Sequence, residues 1–274
     1  VFSGDIGRGD DPLMNPPESP KKADILFIES TYGNRLHPAN GEAKLAAIIN
    51  ESAEKKGTII IPSFAVERTQ MLMYMLWQLR KDGKIPNLPV YMDSPMGTRV
   101  LDIFHHHPDW HKLPIEDCNE MCKDIQLIES VEETYRLMAS NQPKIIIAGS
   151  GMATGGRVLI YFQKYLEESS ATILLVGYQA EGTRGRLLLE GAKEVKLHGK
   201  YYAVHATIKN AEGLSAHADQ SGLIQWMGKL EKAPERIFIV HGEPQAADTL
   251  RVKIKETYGW ESEIPFLNEV IQIQ

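Results

Sequence analysis

Residues 213–219 read "GLSAHAD", a small, polar turn with a histidine in its middle and helical periodicity starting just after it. Nothing local packs around an imidazole placed there, so the turn can present His217 to a site built from other parts of the chain. In α/β folds such sites form at the carboxyl ends of strands. Asp5 follows "VFSG", Glu29 closes "ADILFIES", Asp93 and Ser94 close "LPVYMDS", Ser150 and Gly151 close "KIIIAGSG", and His241 closes "RIFIVHGE". Two histidines and carboxylates suit a borderline metal such as zinc, held by nitrogen and oxygen. They suit equally a general acid with an orienting carboxylate. Taken one at a time, each is more simply the polar residue of a turn. His241 is less simply so: in "VHGEP" an apolar strand stops in His, Gly permits a tight turn, and Pro suits a first helical turn.

Three further stretches invite chemistry. "GSGMATGGR" is a Gly-rich turn between a strand and a helix, where backbone N–H groups can hold a phosphate. It matches neither the dinucleotide fingerprint nor the P-loop, which counts against a nucleotide site and leaves a phosphodiester backbone open. "HHHPDWH" (residues 105–111) is the densest histidine run and is read as a solvated surface element. Cys118 and Cys122 lie at helical spacing. They could be half a metal site, and are read as two free thiols, which suit a reducing cytoplasm.

The elements that must position these residues alternate. "ADILFIES", "GTIIIPSF", "LPVYMDS", "KIIIAGSG", "ATILLVGY" and "RIFIVHGE" are short, solidly apolar strands. Between and after them, "EAKLAAIINESAEKKG", "ERTQMLMYMLWQLRKDG", "RVLIYFQKYLEE", "DQSGLIQWMGKLEKA" and "DTLRVKIKETYG" carry apolar residues at helical spacing. Solid rather than half-polar strands imply an α/β protein whose sheet is covered on both faces. The Pro-rich "DDPLMNPPESP" is the one clear irregular segment.

At 274 residues the chain can bury an ample core as one large domain or two ordinary ones. No window approaches the ~20 apolar residues of a membrane span, and no signal peptide is visible; no membrane partner is expected. A net charge of −6 argues against a nucleic-acid coat protein but not against a nuclease with a locally positive groove.

"FSGDIGR", "ESTYGNR", "PSFAVERTQ", "GSGMATGGR", "GYQAEGTRG", "GLSAHAD" and "VHGEP" occur in that order. Together they resemble the β-CASP nucleases of the metallo-β-lactamase superfamily, which include ribonuclease J and the endonuclease of mRNA 3′-end cleavage. The resemblance covers essentially the whole chain. It implies a metallo-β-lactamase αββα sandwich with an inserted β-CASP domain. Residues 1–33 would end the first lactamase segment, 34–210 would be the β-CASP insert, and 211–274 the return segment. It also implies a zinc-dependent ribonuclease, an endonuclease with 5′-exonuclease activity also open, with RNA as partner and a homodimer as a further expectation. By resemblance, Asp5 corresponds to the carboxylate bridging two zinc ions and His241 to a zinc ligand. Glu29 corresponds to the acidic residue that orients His217, which would protonate the leaving 3′ oxygen. Ser150 and Gly151 would face the scissile phosphate. Arg68, Arg99, Arg157 and Arg184 lie in or near the motif loops and are candidates for phosphate contacts.

The family's H-x-H-x-D-H run does not occur in these 274 residues. Asp5 and His241 alone do not make a stable dizinc centre. The chain is therefore expected to be the C-terminal part of a longer enzyme, a reading its start at Val1 favours, and to bind zinc weakly and cut RNA poorly by itself. The alternative is a non-catalytic β-CASP subunit that binds RNA or a partner. A DNA-directed relative fits less well, because "VHGE" resembles the RNA branch.

Overall fold

The computed structural model describes residues 1–273. They form two compact units: residues 1–11, 15–37 and 216 onward make up the first, and residues 12–14 and 38–215 the second.

The first unit opens with residues 1–3 running beside β1 (Ile25–Glu29). Ser3 N–H donates to Phe27 O at 2.9 Å and Phe27 N–H to Val1 O at 2.8 Å.

The chain then builds the second unit. α1 (Gly41–Glu54) leads to β2 (Ile59–Pro62), α2 (Arg68–Lys81) and β3 (Val90–Asp93). Next come α3 (Pro95–His106), α4 (Ile115–Lys123), β4 (Ile125–Leu127) and α5 (Val131–Ala139). β5 (Ile145–Ala148), α6 (Val158–Tyr165), β6 (Thr172–Leu175) and α7 (Arg184–Leu189) follow. β7 (Glu194–Leu197) pairs with β8 (Lys200–Ala203) as a hairpin before β9 (Thr207–Asn210). Among the described residues, six strands form one parallel sheet in the order β4-β3-β5-β2-β6-β9.

That sheet shows why its strands are solid apolar runs. Ile59, Ile61, Ile145, Ile147 and Leu174 face one core, shared with Leu45, Ile49, Leu72 and Leu76 of α1 and α2. Ile60, Ile146, Ile173 and Leu175 face the other, shared with Tyr161 and Phe162 of α6. Successive strand residues point to opposite faces, and with both faces covered neither set can be polar. Edge strands such as β4, with one buried residue in three, carry no such run and were not legible in the sequence.

Back in the first unit, α8 (Gln220–Met227) precedes β10 (Arg236–Val240) and α9 (Pro244–Tyr258). β10 pairs in parallel with β1, and Phe2, Phe27 and Phe238 stack at 4.4 and 4.8 Å between successive ring centroids. A separate core joins Leu26, Ile28, Ile237 and Ile239 of the strands to Leu223, Met227, Leu250 and Ile254 of the helices. The α/β class expected from the alternation is the class found. Among the described residues, no helix is long and apolar enough to cross a membrane.

Candidate active site

The register of β1 on β10 sets Glu29 opposite Val240, so Ser30 and His241 leave the carboxyl ends of adjacent strands together. Ser30 Oγ donates to Val240 O at 2.9 Å. Gly242 lies so close to this strand end that a Cβ on it would sit 2.3 Å from Ser30 Oγ and 2.6 Å from Ser30 O. His241 itself has φ = 53°, in the left-handed region that non-glycine residues rarely adopt. Thr31 Oγ1 stands 3.2 Å from both His241 Nδ1 and His241 O, which fixes ring and backbone at once.

The turn bearing His217 is pinned from two sides. Asp219 caps α8 by accepting from Gly222 N–H at 2.9 Å, and its second oxygen accepts from His37 N–H at 2.9 Å. Ala218 N–H donates to Ile6 O at 2.7 Å, and His37 Nε2 lies 2.9 Å from His217 O. The imidazole Nδ1 then meets Glu29, at 3.0 Å from Oε2 and 3.3 Å from Oε1. Glu29 is fully desolvated, with its side chain 1% exposed, and also accepts from Ile6 N–H. A carboxylate on Nδ1 favours the tautomer that carries its proton there and fixes the plane of the ring.

Asp5 and His241 are the open side of the group, with Asp5 Oδ1 3.4 Å from His241 Nδ1. Two N/O donors on one tetrahedral zinc, at bonds of ~2.0–2.1 Å, sit about 3.3 Å apart. The donor atoms of Asp5, Glu29 and His217 lie within 4.8 Å of one another, and the rings of His217 and His241 are 6.1 Å apart. Of these groups the carboxylate of Asp5 and the imidazole of His241 are of the donor type zinc takes. Three residues beyond Asp5, Arg8 braces the loop: its Nε and Nη2 each reach an Asp10 oxygen at 2.8 Å. That hydrogen-bonded guanidinium holds the Asp10 carboxyl below the usual range.

The 149–157 loop belongs to the second unit. Ser150 Oγ accepts from Thr154 N–H at 3.2 Å and meets Thr154 Oγ1 at 3.1 Å. Gly151 is pressed on Phe64, whose ring a Cβ would approach to 2.5 Å. Arg184 clamps the loop, Nη1 donating to Thr154 O at 3.1 Å while Nε donates to Lys196 O at 2.7 Å.

The family profile described as "Beta-Casp domain" matches residues 69–188. A second, described as "Zn-dependent metallo-hydrolase RNA specificity domain", matches residues 201–265. The RNase J-like protein of Methanocaldococcus jannaschii is 31% identical over 279 residues, covering 100% of this chain and 65% of that protein. The chain belongs to the β-CASP family. Ribonuclease TTHA0252 of Thermus thermophilus is 29% identical over 253 residues, 89% of the chain and 57% of that protein. Transcription termination factor FttA of Methanosarcina mazei is 32% identical over 263 residues, 90% of the chain and 41% of that protein. The chain spans about half the length of these relatives.

In this β-CASP chain several expected residues sit elsewhere than sequence placed them. Arg68 is buried, at 5% exposure, and Nη1 donates to the Val176 carbonyl. Burial removes it from the reach of a phosphate backbone, which corrects that expectation. Arg157 turns inward: Nε lies 3.7 Å from Asp93 Oδ1 and Nη1 donates to Thr134 Oγ1 at 2.9 Å. Asp93, a strand-end carboxylate by sequence, is wholly buried in the second unit and accepts from Thr134 Oγ1 and, at 2.7 Å, from Tyr161 OH. Burial pushes its carboxyl above the usual range against those donors and Arg157. Arg99 is exposed on α3. The 105–111 run is also corrected in part, since His111 is buried against Phe104, ring centroids 3.8 Å apart.

Sequence reasoning passed over Thr31 and His37. Thr31 lies inside "ESTYGNR", two residues from Glu29, so its motif carried a signal. His37 is a lone histidine in a loop, and no pattern marked it.

Proposed function

We propose that this chain carries the proton-transfer half of a zinc-dependent ribonuclease that hydrolyses RNA phosphodiester bonds in RNA processing. The observation that carries the reading is the buried Glu29 carboxylate holding His217 Nδ1 at 3.0 Å. A desolvated acid with one edge on a backbone N–H and the other on an imidazole is a costly arrangement for a scaffold. It is a reasonable one for a general acid that must keep its tautomer. In this reading Glu29 orients the ring, and His217 delivers a proton from Nε2 to the leaving 3′ oxygen. Asp5 and His241 hold metal, and Thr31 and the left-handed backbone at 241 hold His241 in place. Zinc, when bound there, supplies Lewis acidity and an activated water. Residues 1–33 and 211–274 are read as metallo-β-lactamase segments, and 34–210 as the β-CASP insert. In that insert Ser150, the backbone at Gly151 and Arg184 are read as contacts to RNA phosphates.

The names of the relatives support RNA as the substrate: a ribonuclease, an RNase J-like protein and a transcription termination factor. The test is His217→Ala in the longest polypeptide that contains this chain, with a labelled single-stranded RNA. Cleavage should fall about 10²–10⁴-fold, the usual share of general acid catalysis, while bound zinc is unchanged. Loss of zinc on the same substitution would make His217 a ligand and overturn its assigned role.

A further inference from the structure

α3 and α4 of the second unit bring together three side chains that the nuclease reading does not use. Cys118 and Cys122 are four residues apart on α4, which puts both thiols on one helical face. His105, in the last turn of α3, faces them: its Nδ1 lies 3.8 Å from Cys118 Sγ. The ligand atoms of all three lie within 4.8 Å of one another. At Zn–S of ~2.3 Å and Zn–N of ~2.0–2.1 Å, a sulfur and a nitrogen on one tetrahedral zinc stand about 3.6 Å apart. The observed separation needs little adjustment.

We propose that His105, Cys118 and Cys122 form a zinc site carried wholly by the second unit, with three protein ligands and a fourth position open to an exogenous ligand. The helices are rigid supports, because Leu101 and Phe104 of α3 and Cys118 and Met121 of α4 are buried in the same core. The neighbouring histidines are engaged otherwise. His111 Nε2 meets Phe104 O at 3.2 Å and its Nδ1 accepts from Leu113 N–H at 3.2 Å. His106 Nδ1 lies 2.7 Å from Asp102 O, and His107 stacks on Trp110 at 4.2 Å. Two thiolates with one imidazole select a soft or borderline cation over Mg²⁺ or Mn²⁺. Binding forms two metal–sulfur bonds and one metal–nitrogen bond, and releases the two thiol protons to solvent. The site ties the end of α3 to α4 across the 107–114 loop.

The probe is Co²⁺, which occupies tetrahedral zinc sites and gives a sulfur-to-cobalt charge-transfer absorption. Cys118 and Cys122 are the only cysteines in the sequence, so the band reports this site and is blind to Asp5, Glu29, His217 and His241. The reduced chain should develop the band at one equivalent of Co²⁺ and lose it to one equivalent of Zn²⁺. Zinc should also slow the reaction of both thiols with a disulfide reagent. His105→Gln should weaken the cobalt affinity at least tenfold, and Cys118→Ser should abolish the band. Absence of a sulfur band in the reduced, folded wild-type chain would overturn the proposal. So would an unchanged titration in His105→Gln, a half-buried position near a helix end where the fold should survive.

Discussion

Replacing Arg157 by methionine separates two roles for that side chain. Methionine keeps much of the apolar stem and removes the charge. In the structure the guanidinium faces Asp93 Oδ1 at 3.7 Å, with Asp93 fully buried and Arg157 15% exposed. At an effective dielectric of ~20 that separation corresponds to roughly 4–5 kcal/mol of attraction before desolvation. Breaking a buried pair by removing one partner costs ~3–5 kcal/mol. Arg157 stands at the rim of its pocket, so about 2–3 kcal/mol is the expected loss at pH 7.5. The pH dependence identifies the cause. Asp93 already titrates above its usual range because of burial, and Arg157 opposes that shift. A carboxyl raised in the folded state binds a proton there more readily than in the unfolded chain. The penalty for its charge is therefore present above the folded value and relieved as pH falls through it. Losing Arg157 raises that value further, so the destabilisation should shrink between pH 7.5 and pH 5. Urea unfolding at both pH values measures it. RNA binding against salt is the companion assay: one lost phosphate contact on a single strand would reduce the log–log slope by ~0.7. A stability loss under about 0.5 kcal/mol, a loss equal at both pH values, or a slope reduced by ~0.7 would refute the pairing with Asp93 as the residue's main task.

Gly242→Ala should displace the strand end that sets His241, because the new Cβ would meet Ser30 Oγ and Ser30 O at 2.3 and 2.6 Å. A loss of ~1–3 kcal/mol by thermal or urea unfolding is expected from such overpacking, together with weaker zinc binding; an unperturbed protein would show that the close approach relaxes freely. Lys144 is buried, and burial pulls its ammonium down to about 8 from 10.5. The folded state thus carries a cost for that charge below about pH 8, relieved as pH rises towards 10.5. Lys144→Met should stabilise by ~1–2 kcal/mol at pH 7, allowing for the hydrogen bond that Nζ makes to Ser140 O. The gain should fade as pH approaches 10, and a gain constant with pH would assign it to packing instead.

Much of the scaffold was legible because the forces that make it are local or periodic. β2, β5 and β6 are solid apolar runs, since a parallel strand covered on both faces has no solvent side. α9 shows one apolar face at helical spacing and opens at Pro244 directly after the "HGE" turn, while α2 carries apolar residues at helical spacing and is buried around most of its circumference. α3, α4 and α5 were less legible because they are short: Ser94 and Ser130 cap α3 and α5 with side-chain hydrogen bonds, α4 starts at Pro114 without one, and each spans too few turns for its periodicity to stand out. The hairpin of β7 and β8 escaped too, because it has an exposed face and turns on the positive φ of His198 and Gly199.

The sequence alone marks which side chains stand at strand ends and turns, because an apolar run must stop where its sheet stops. It named Asp5, Glu29, His217 and His241 on that ground and through their motifs. Which of them meet is set by the packing of the whole unit. Glu29 and His217 are 188 residues apart in the chain and 3.0 Å apart in space. Burial and partner choice also lay outside the sequence's reach. An arginine in a motif loop looks the same whether it faces solvent or, like Arg68, donates to a buried carbonyl. A histidine run reads as surface until α3 turns His105 toward the thiols of α4. Side-chain type is a property of one residue. The distance between two of them is a property of everything packed in between.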